Sequence, residues 1–361
     1  MSAKPVDPTL SRRRFLGNAA ALAGAAAGAS ALAESSLAYG AGVAAVPSLA
    51  ASPPAGFVPL SEPGKIIKVS KSDTLMPNGL FPKADVAQTM LERVMTELTG
   101  ETDINKAMAR FIHKDDKVAI KMNGIAGQTG ATMATNKEIV LPIVAAVLAV
   151  GVPAANIVVY EQYNSFFNGT RVNAKNLPAG VQTAIHANKD ATMAEIRVLG
   201  IRTKFVRPLT EATAVINVAL IKDHSICGYT GCLKNMTHGS TINPHDFHAH
   251  NASPQIAALY AQDVMKSRVR LHITDGFKLI YDQGPLDKNP ERRVPHDAVY
   301  ATTDPVAMDI IGWGEVEKWR KNKGLPTLAK AGREPTYIRV AGELGLGVAD
   351  KEQIRMREVT L

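Results

Sequence analysis

The sequence predicts an α/β fold of mainly parallel sheets with crossover helices, arranged as two lobes with a cleft between them. Three observations predict it. Residues 117–122, 157–160 and 213–222 are short apolar runs of strand length, and the segments between them carry helical spacing. The stretch from 117 to 160 reads as one β-α-β unit, which requires parallel strands and a crossover helix. Finally, 361 residues with 46% hydrophobic content exceed one typical domain and supply a large core. Only 5% of residues are aromatic, and no basic stripe interleaves with them, which argues against a nucleic-acid partner.

Residues 1–33 have the layout of an export signal. Arg12, Arg13 and Arg14 precede Phe15 and Leu16, an Ala/Gly-rich apolar stretch follows to Leu32, and Ala31-Leu32-Ala33 offers a cleavage site. The stretch is too short and too weakly apolar to span a bilayer, and no cysteine follows it to carry a lipid. Ser11-Arg12-Arg13-Arg14-Phe15-Leu16 resembles the twin-arginine signal, whose translocon moves folded proteins. The expectation is a periplasmic protein with the Tat translocon as its export partner and no stable membrane anchor after cleavage. Cleavage removes Lys4, Arg12, Arg13, Arg14 and Asp7, so the net charge of +8 falls to +5. Residues 34–58 read as an Ala/Ser/Pro linker, and 59–350 as the folded body.

In that body, residues 65–70 read as an opening strand. Val86, Met90, Val94 and Leu98 mark a helix over 84–99, and Asp103 is placed to cap a second helix through Phe111. The strand at 117–122 leads to a helix over 136–150 and a strand at 157–160. A helix is expected around 180–186. Strand 213–222 precedes a helix over 253–266, a strand at 268–274, an Asp275-Gly276 turn, a surface loop over 281–295 and a helix over 304–321 capped by Asp304. Functional loops of such a sheet lie at the carboxyl ends of its strands, here Lys121-Met122-Asn123-Gly124 and Glu161-Gln162-Tyr163-Asn164.

Five of nine histidines fall between 224 and 250: His224, His238, His245, His248 and His250. Imidazole is both a near-neutral acid/base and a common metal ligand, so this cluster after a strand points to proton transfer, metal binding or both. Cys227 and Cys232, flanked by His224 and His238, admit three readings: a small-loop disulfide, a soft-metal set for zinc, copper or iron, or free buried thiols. Two cysteines do not suffice for an all-thiolate iron–sulfur cluster. Lys121 and Asn123 suit a carboxylate or phosphate. Glu161 can take a proton if burial raises its pKa, and Asp309, one turn past Asp304, can face the cleft. Gly124, Gly127 and Gly130 do not reproduce a phosphate-cradling spacing.

These motifs resemble those of domain-of-unknown-function family 362. Its pattern is met by Lys121 and Asn123, by Lys222, His224, Thr230, Leu233, Lys234 and Asn235, and by Asp304, Pro305, Val306, Ala307 and Asp309. A more distant likeness is to the lactate racemase family, through Ile216-Asn217-Val218, His224, Gly228-Tyr229-Thr230-Gly231, Lys234 and His250. That likeness implies Lys234 as covalent anchor of a nickel-pincer nucleotide, His250 as nickel ligand and His224 as acid/base. The chain departs from that family at Glu161-Gln162-Tyr163, where a further histidine is expected.

The expected function is an exported enzyme acting on a small anionic substrate through a histidine-rich cleft with a bound metal or metal cofactor. The reaction is an isomerase type (racemase or epimerase) or a metal-dependent redox step. The expected catalytic residues are His224, Lys234 and Glu161. Cofactor binding falls to Lys234, Lys121, Asn123, Asn235 and Asp309, and metal ligation to His250, His238, Cys227 and Cys232. The alternative is a non-catalytic periplasmic metal-binding or solute-binding protein.

Overall fold

The computed structural model describes residues 48–128, 133–186 and 190–361. Residues 1–33, read from the sequence as an export signal, and most of residues 34–58 lie outside the described residues. The strands are β1 (Lys65–Ser70), β2 (Val118–Lys121), β3 (Ile157–Glu161), β4 (Gln182–Ile185), β5 (Ile196–Val198), β6 (Ile201–Thr203), β7 (Ala214–His224), β8 (Gly228–Thr230), β9 (Val269–Ile280), β10 (Arg293–Thr302) and β11 (Arg355–Thr360). Between them run α1 (Ala84–Thr99), α2 (Ile104–Ala109), α3 (Lys137–Ala149), α4 (Asn164–Thr170), α5 (Arg207–Thr210), α6 (Cys232–His238), α7 (Ser253–Tyr260), α8 (Asp263–Lys266), α9 (Pro305–Asn322) and α10 (Tyr337–Glu343).

One nine-stranded sheet takes the order β11-β1-β10-β9-β7-β2-β3-β4, with β8 paired to β7. Strands β9, β7, β2, β3 and β4 are mutually parallel, while β10 runs antiparallel to both β9 and β1. The mixed, mostly parallel α/β character is therefore as the sequence predicts. Residues 49–361 form one compact unit, and the described residues do not separate into two lobes.

The period-two alternation of β7 builds the core on both faces of the sheet. Ala214, Ile216 and Val218 pack with α1, α2 and α3 on one face, and Val215, Ala219 and Ile221 with α6, α7 and α9 on the other. Asp103 caps α2 by accepting from the backbone N–H of Asn105 and Lys106. Asp304 likewise accepts from Val306 and Ala307 to open α9, and also from Gly64 and Val348, tying the segments before β1 and β11 to that helix.

Three expected elements differ. Residues 182–185, expected within a helix around 180–186, form edge strand β4 beside β3, where pairing with the sheet outweighs local helical preference. Asp275-Gly276 is not a turn: both residues lie within β9 opposite Val299 and Ala298, at a register shift against β7. The helix over 253–266 breaks after Tyr260 into α7 and α8. Part of the linker also docks, since Leu49 accepts a hydrogen bond from Arg268 and the Ala51 N–H donates to Ser267.

At the amino ends of β2, β7 and β9, Arg270 and Asp116 form a buried two-pronged ion pair at 2.7 and 3.0 Å, and Asp116 also accepts from Thr213 and the His113 N–H. Removing one partner of such a pair strands the other in the interior. Asp116→Ala is predicted to cost about 3–5 kcal/mol of stability, measured by urea denaturation. A loss under about 1 kcal/mol contradicts this assignment.

Candidate functional site

The carboxyl ends of β2, β3 and β7 meet β8, α6 and the 3-10 segment Pro244–Ala252 around a cavity of about 130 Å³. This position is where parallel α/β sheets hold ligands. The polar side chains that line it are Lys121, Asn123, Glu161, Gln162, Lys222, His224, Thr230, Lys234, Asn235, His238 and His248, with Phe166, Ile125, Pro244 and Pro285 as apolar walls. The two strand-end loops singled out from the sequence thus converge with the histidine-rich region.

Three lysines enter this buried space, and each is held differently. Lys121 Nζ lies 2.9 Å from Glu161 Oε2 and donates to its neighbour's carbonyl, Met122 O. Glu161 in turn accepts the N–H groups of Gly124 and Gln162, so its carboxylate fixes both loops. Lys222 Nζ donates to Asn123 Oδ1 at 2.7 Å and, among the described residues, has no carboxylate within ion-pair distance. Lys234 Nζ donates to His248 Nε2 at 2.9 Å, again with no carboxylate partner among the described residues. Burial lowers all three amines, with Glu161 partly offsetting this at Lys121, and brings Lys222 down to about 7.

Each imidazole has its ring nitrogens assigned by its partners. His248 donates from Nδ1 to Pro244 O at 2.9 Å, which leaves Nε2 as the acceptor facing Lys234. His238 donates from Nε2 to Phe247 O, and its Nδ1 lies 3.2 Å from Thr237 Oγ1. His224 Nδ1 accepts the N–H groups of Ile226 and Cys227, so in the neutral ring the proton sits on Nε2, which has no partner among the described residues. His224 stacks on His248 at 5.5 Å and His238 meets His248 edge-on at 4.6 Å. Burial, reinforced by Lys234, holds His224 and His238 well below the usual histidine value and His248 at about 4. All three rings are neutral near pH 7. The Thr230 hydroxyl, buried on the cavity lining, has no hydrogen-bond partner among the described residues.

The backbone around these groups is held by acids outside the cavity. Asp309, expected to face the cleft, instead accepts the Cys232 and Leu233 N–H groups at 2.6 and 3.1 Å and caps α6 from behind. Burial raises its carboxyl to about 7 against the pull of those N–H groups. A Cβ on Gly231 would collide with that carboxylate, so only glycine fits there. Gly228, with φ +77° and Arg333 O pressed against the place a Cβ would take, is constrained in the same way. Asp223, behind the end of β7, binds Arg333 and the Gly284 N–H, and Arg333 also donates to His224 O.

Of the expected site residues, Lys121, Asn123, Glu161, His224, Lys234, Asn235 and His238 line the cavity. His250 does not: it is exposed, at φ 53° in the chain reversal before α7. Cys227 and Cys232 are free, buried thiols of the core. The first donates to Tyr229 O, and the second contacts Thr274 Oγ1. Among the described residues no three His, Cys, Asp or Glu side chains form a metal-holding group. The imidazole nitrogens facing the cavity are spent on protein partners except His224 Nε2, so the soft-metal set does not assemble. His250, expected as the nickel ligand, is exposed and is not at the cavity wall, so the structure does not bring it together with Lys234. Lys222 and His248 also belong to the site, although the sequence assigns neither a role in it. Lys222 lies two residues before His224 and so on the same strand face, a signal present in the sequence itself.

The DUF362 model, a domain of unknown function, matches residues 118–314, a span that runs from β2 into α9. No curated protein matches the chain. Among solved structures, the chain is similar to the lactate racemase apoprotein from Thermoanaerobacterium thermosaccharolyticum at 10% identity and a TM-score of 0.33, over 66% of this chain and 54% of that one. The chain thus spans about half the length of that protein.

The buried amine of Lys222 generates a stability prediction. Below pH 7 the folded and unfolded states both carry its proton, and the fold bears the full cost of desolvating the charge. As pH rises from 7 toward the unfolded value near 10.4, the native amine is already neutral and the cost fades. Lys222→Met is therefore predicted to raise the free energy of unfolding most below pH 7. The gain shrinks toward pH 10, by about 1.4 kcal/mol for each step of one in pH. Urea denaturation on both sides of that window checks it, and a pH-independent difference contradicts it. From the match over more than half its length, the chain belongs to the DUF362 family.

Proposed function

We propose that this protein is an exported enzyme that binds a small anion and moves a proton on it, an isomerase-type reaction. The observation that carries the reading is the pair of buried ammonium groups, Lys222 and Lys234, that open on one cavity without a carboxylate partner among the described residues. A desolvated cation without its counter-ion costs several kcal/mol, and an anionic ligand removes that cost. Export rests on the Ser11–Leu16 motif, which fits a protein that folds before it crosses the membrane.

Proton transfer is supported by the tautomers. His224 presents an Nε2–H to the cavity, while His248 presents a lone pair toward Lys234. Burial lowers the Lys234 amine, so it gives up its proton more readily than a solvated lysine and in its neutral form is a base. His224 and Lys234 then stand as an acid and a base contributed by different elements, the arrangement an epimerisation needs on opposite faces of a carbon. The reading uses no metal or nucleotide cofactor.

Incubation of the purified protein in D₂O with small 2-hydroxy and 2-amino carboxylic acids, followed by proton NMR, tests this. Deuterium incorporation next to the carboxylate is expected, with a drop of about 10²–10⁴-fold in His224→Asn and Lys234→Met. Anion binding with no exchange on any of these acids makes the protein a solute-binding module and overturns the enzymatic part. No anion binding at all overturns the whole reading.

A further inference from the structure

The charge inventory of the cavity goes one step further than an anion of unspecified charge, and the inference rests on the reading above that the cavity binds an anion. Three ammonium groups line it, and Glu161 is the single carboxylate among the lining residues. Glu161 is committed to Lys121 at 2.9 Å and to two backbone N–H groups. The other acids near the site have partners of their own, although one oxygen of Asp287 is buried without one among the described residues. Asp287 binds Arg293 and the Met133 N–H, Asp223 binds Arg333 and the Gly284 N–H, and Asp309 caps α6.

With the surrounding imidazoles neutral, the two amines that can carry positive charge without a carboxylate come from different elements: Lys222 from β7 and Lys234 from α6. Their present partners, Asn123 Oδ1 and His248 Nε2, are neutral acceptors. A third donor, the Thr230 hydroxyl, is buried on the same lining with no partner among the described residues. The volume of about 130 Å³ suits a small molecule.

We infer that the cavity is built for a small dianion, one negative end compensating Lys222 and the other Lys234, with the Thr230 hydroxyl donating to it. A monoanion would leave one buried ammonium uncompensated. The shared chemistry is two negative charges within a few heavy atoms, which a short dicarboxylate or a tetrahedral oxyanion can both supply.

The test is calorimetric titration of the full mature chain below pH 7, where the Lys222 amine carries its proton, with malonate, sulfate and acetate. Charge-assisted hydrogen bonds to a second charge contribute about 1.5–3 kcal/mol, a preference of roughly 10–150-fold. Malonate or sulfate is therefore expected to bind at least about tenfold more tightly than acetate. Preference for malonate assigns a dicarboxylate and preference for sulfate a tetrahedral oxyanion, and either supports the inference. In Lys222→Met and Lys234→Met the preference over acetate is expected to fall to about threefold or less. In Lys222→Arg, which keeps the charge, it is expected to persist. That variant keeps the inference testable if the methionine forms fail to fold. Equal affinity for acetate and both dianions in the unaltered protein overturns the dianion while leaving the anion reading intact. No binding of any of the three overturns both.

Discussion

The burial of three lysine ammonium groups at the carboxyl end of a parallel sheet, with one carboxylate among the lining residues, is the constraint on which the site depends. Each amine must replace its lost hydration. The protein supplies a carboxylate for Lys121, through Glu161, and only neutral acceptors for Lys222 and Lys234, whose partners are a side-chain amide and an imidazole. The resulting imbalance opposes folding and favours any ligand of opposite charge. Sites commonly trade stability for binding in this way, because a residual field inside a low-dielectric cavity acts on the ligand far more strongly than the same charges in water.

The surrounding fold keeps these groups from relaxing away from one another. Asp309 on α9 fixes the first turn of α6 by taking two of its free N–H groups, so Lys234 projects from an immobilised helix. At the end of β7, Asp223, Arg333, Asp282 and Arg320 form an ion-pair network that also grips the backbone carbonyl of His224. Arg320 and Arg333 lie beyond residue 314, where the family match ends. The carboxy-terminal segment thus contributes structure to the site without lining it.

Much of this is legible in the sequence. Lys121, Glu161, His224 and Lys234 stand at strand ends or in a glycine-rich turn, and the position of strand ends in a parallel sheet follows from the β-α-β pattern alone. Lys222 is harder to read because it closes an apolar run and passes for a strand terminus. His248 and His250 cannot be ranked from sequence, because the segment they share is an irregular 3-10 turn with left-handed residues at 250–252, to which no periodicity applies. The cysteines show the same limit: a spacing of five residues does not say which way two thiols point, and both point into the core. Asp309 escapes the sequence because its partner, the start of α6, is some 75 residues distant along the chain, and only tertiary structure reveals that pairing.

Whether uncompensated positive charge is stored in this one cavity is tested most directly by an anomalous-diffraction map of crystals soaked in bromide. An ordered bromide is expected inside the cavity, within hydrogen-bond reach of Lys222 or Lys234 and the Thr230 hydroxyl, and it should disappear in the Lys222→Met, Lys234→Met double variant. Bromide peaks confined to the protein surface, with only water between the lysines, would contradict that charge imbalance.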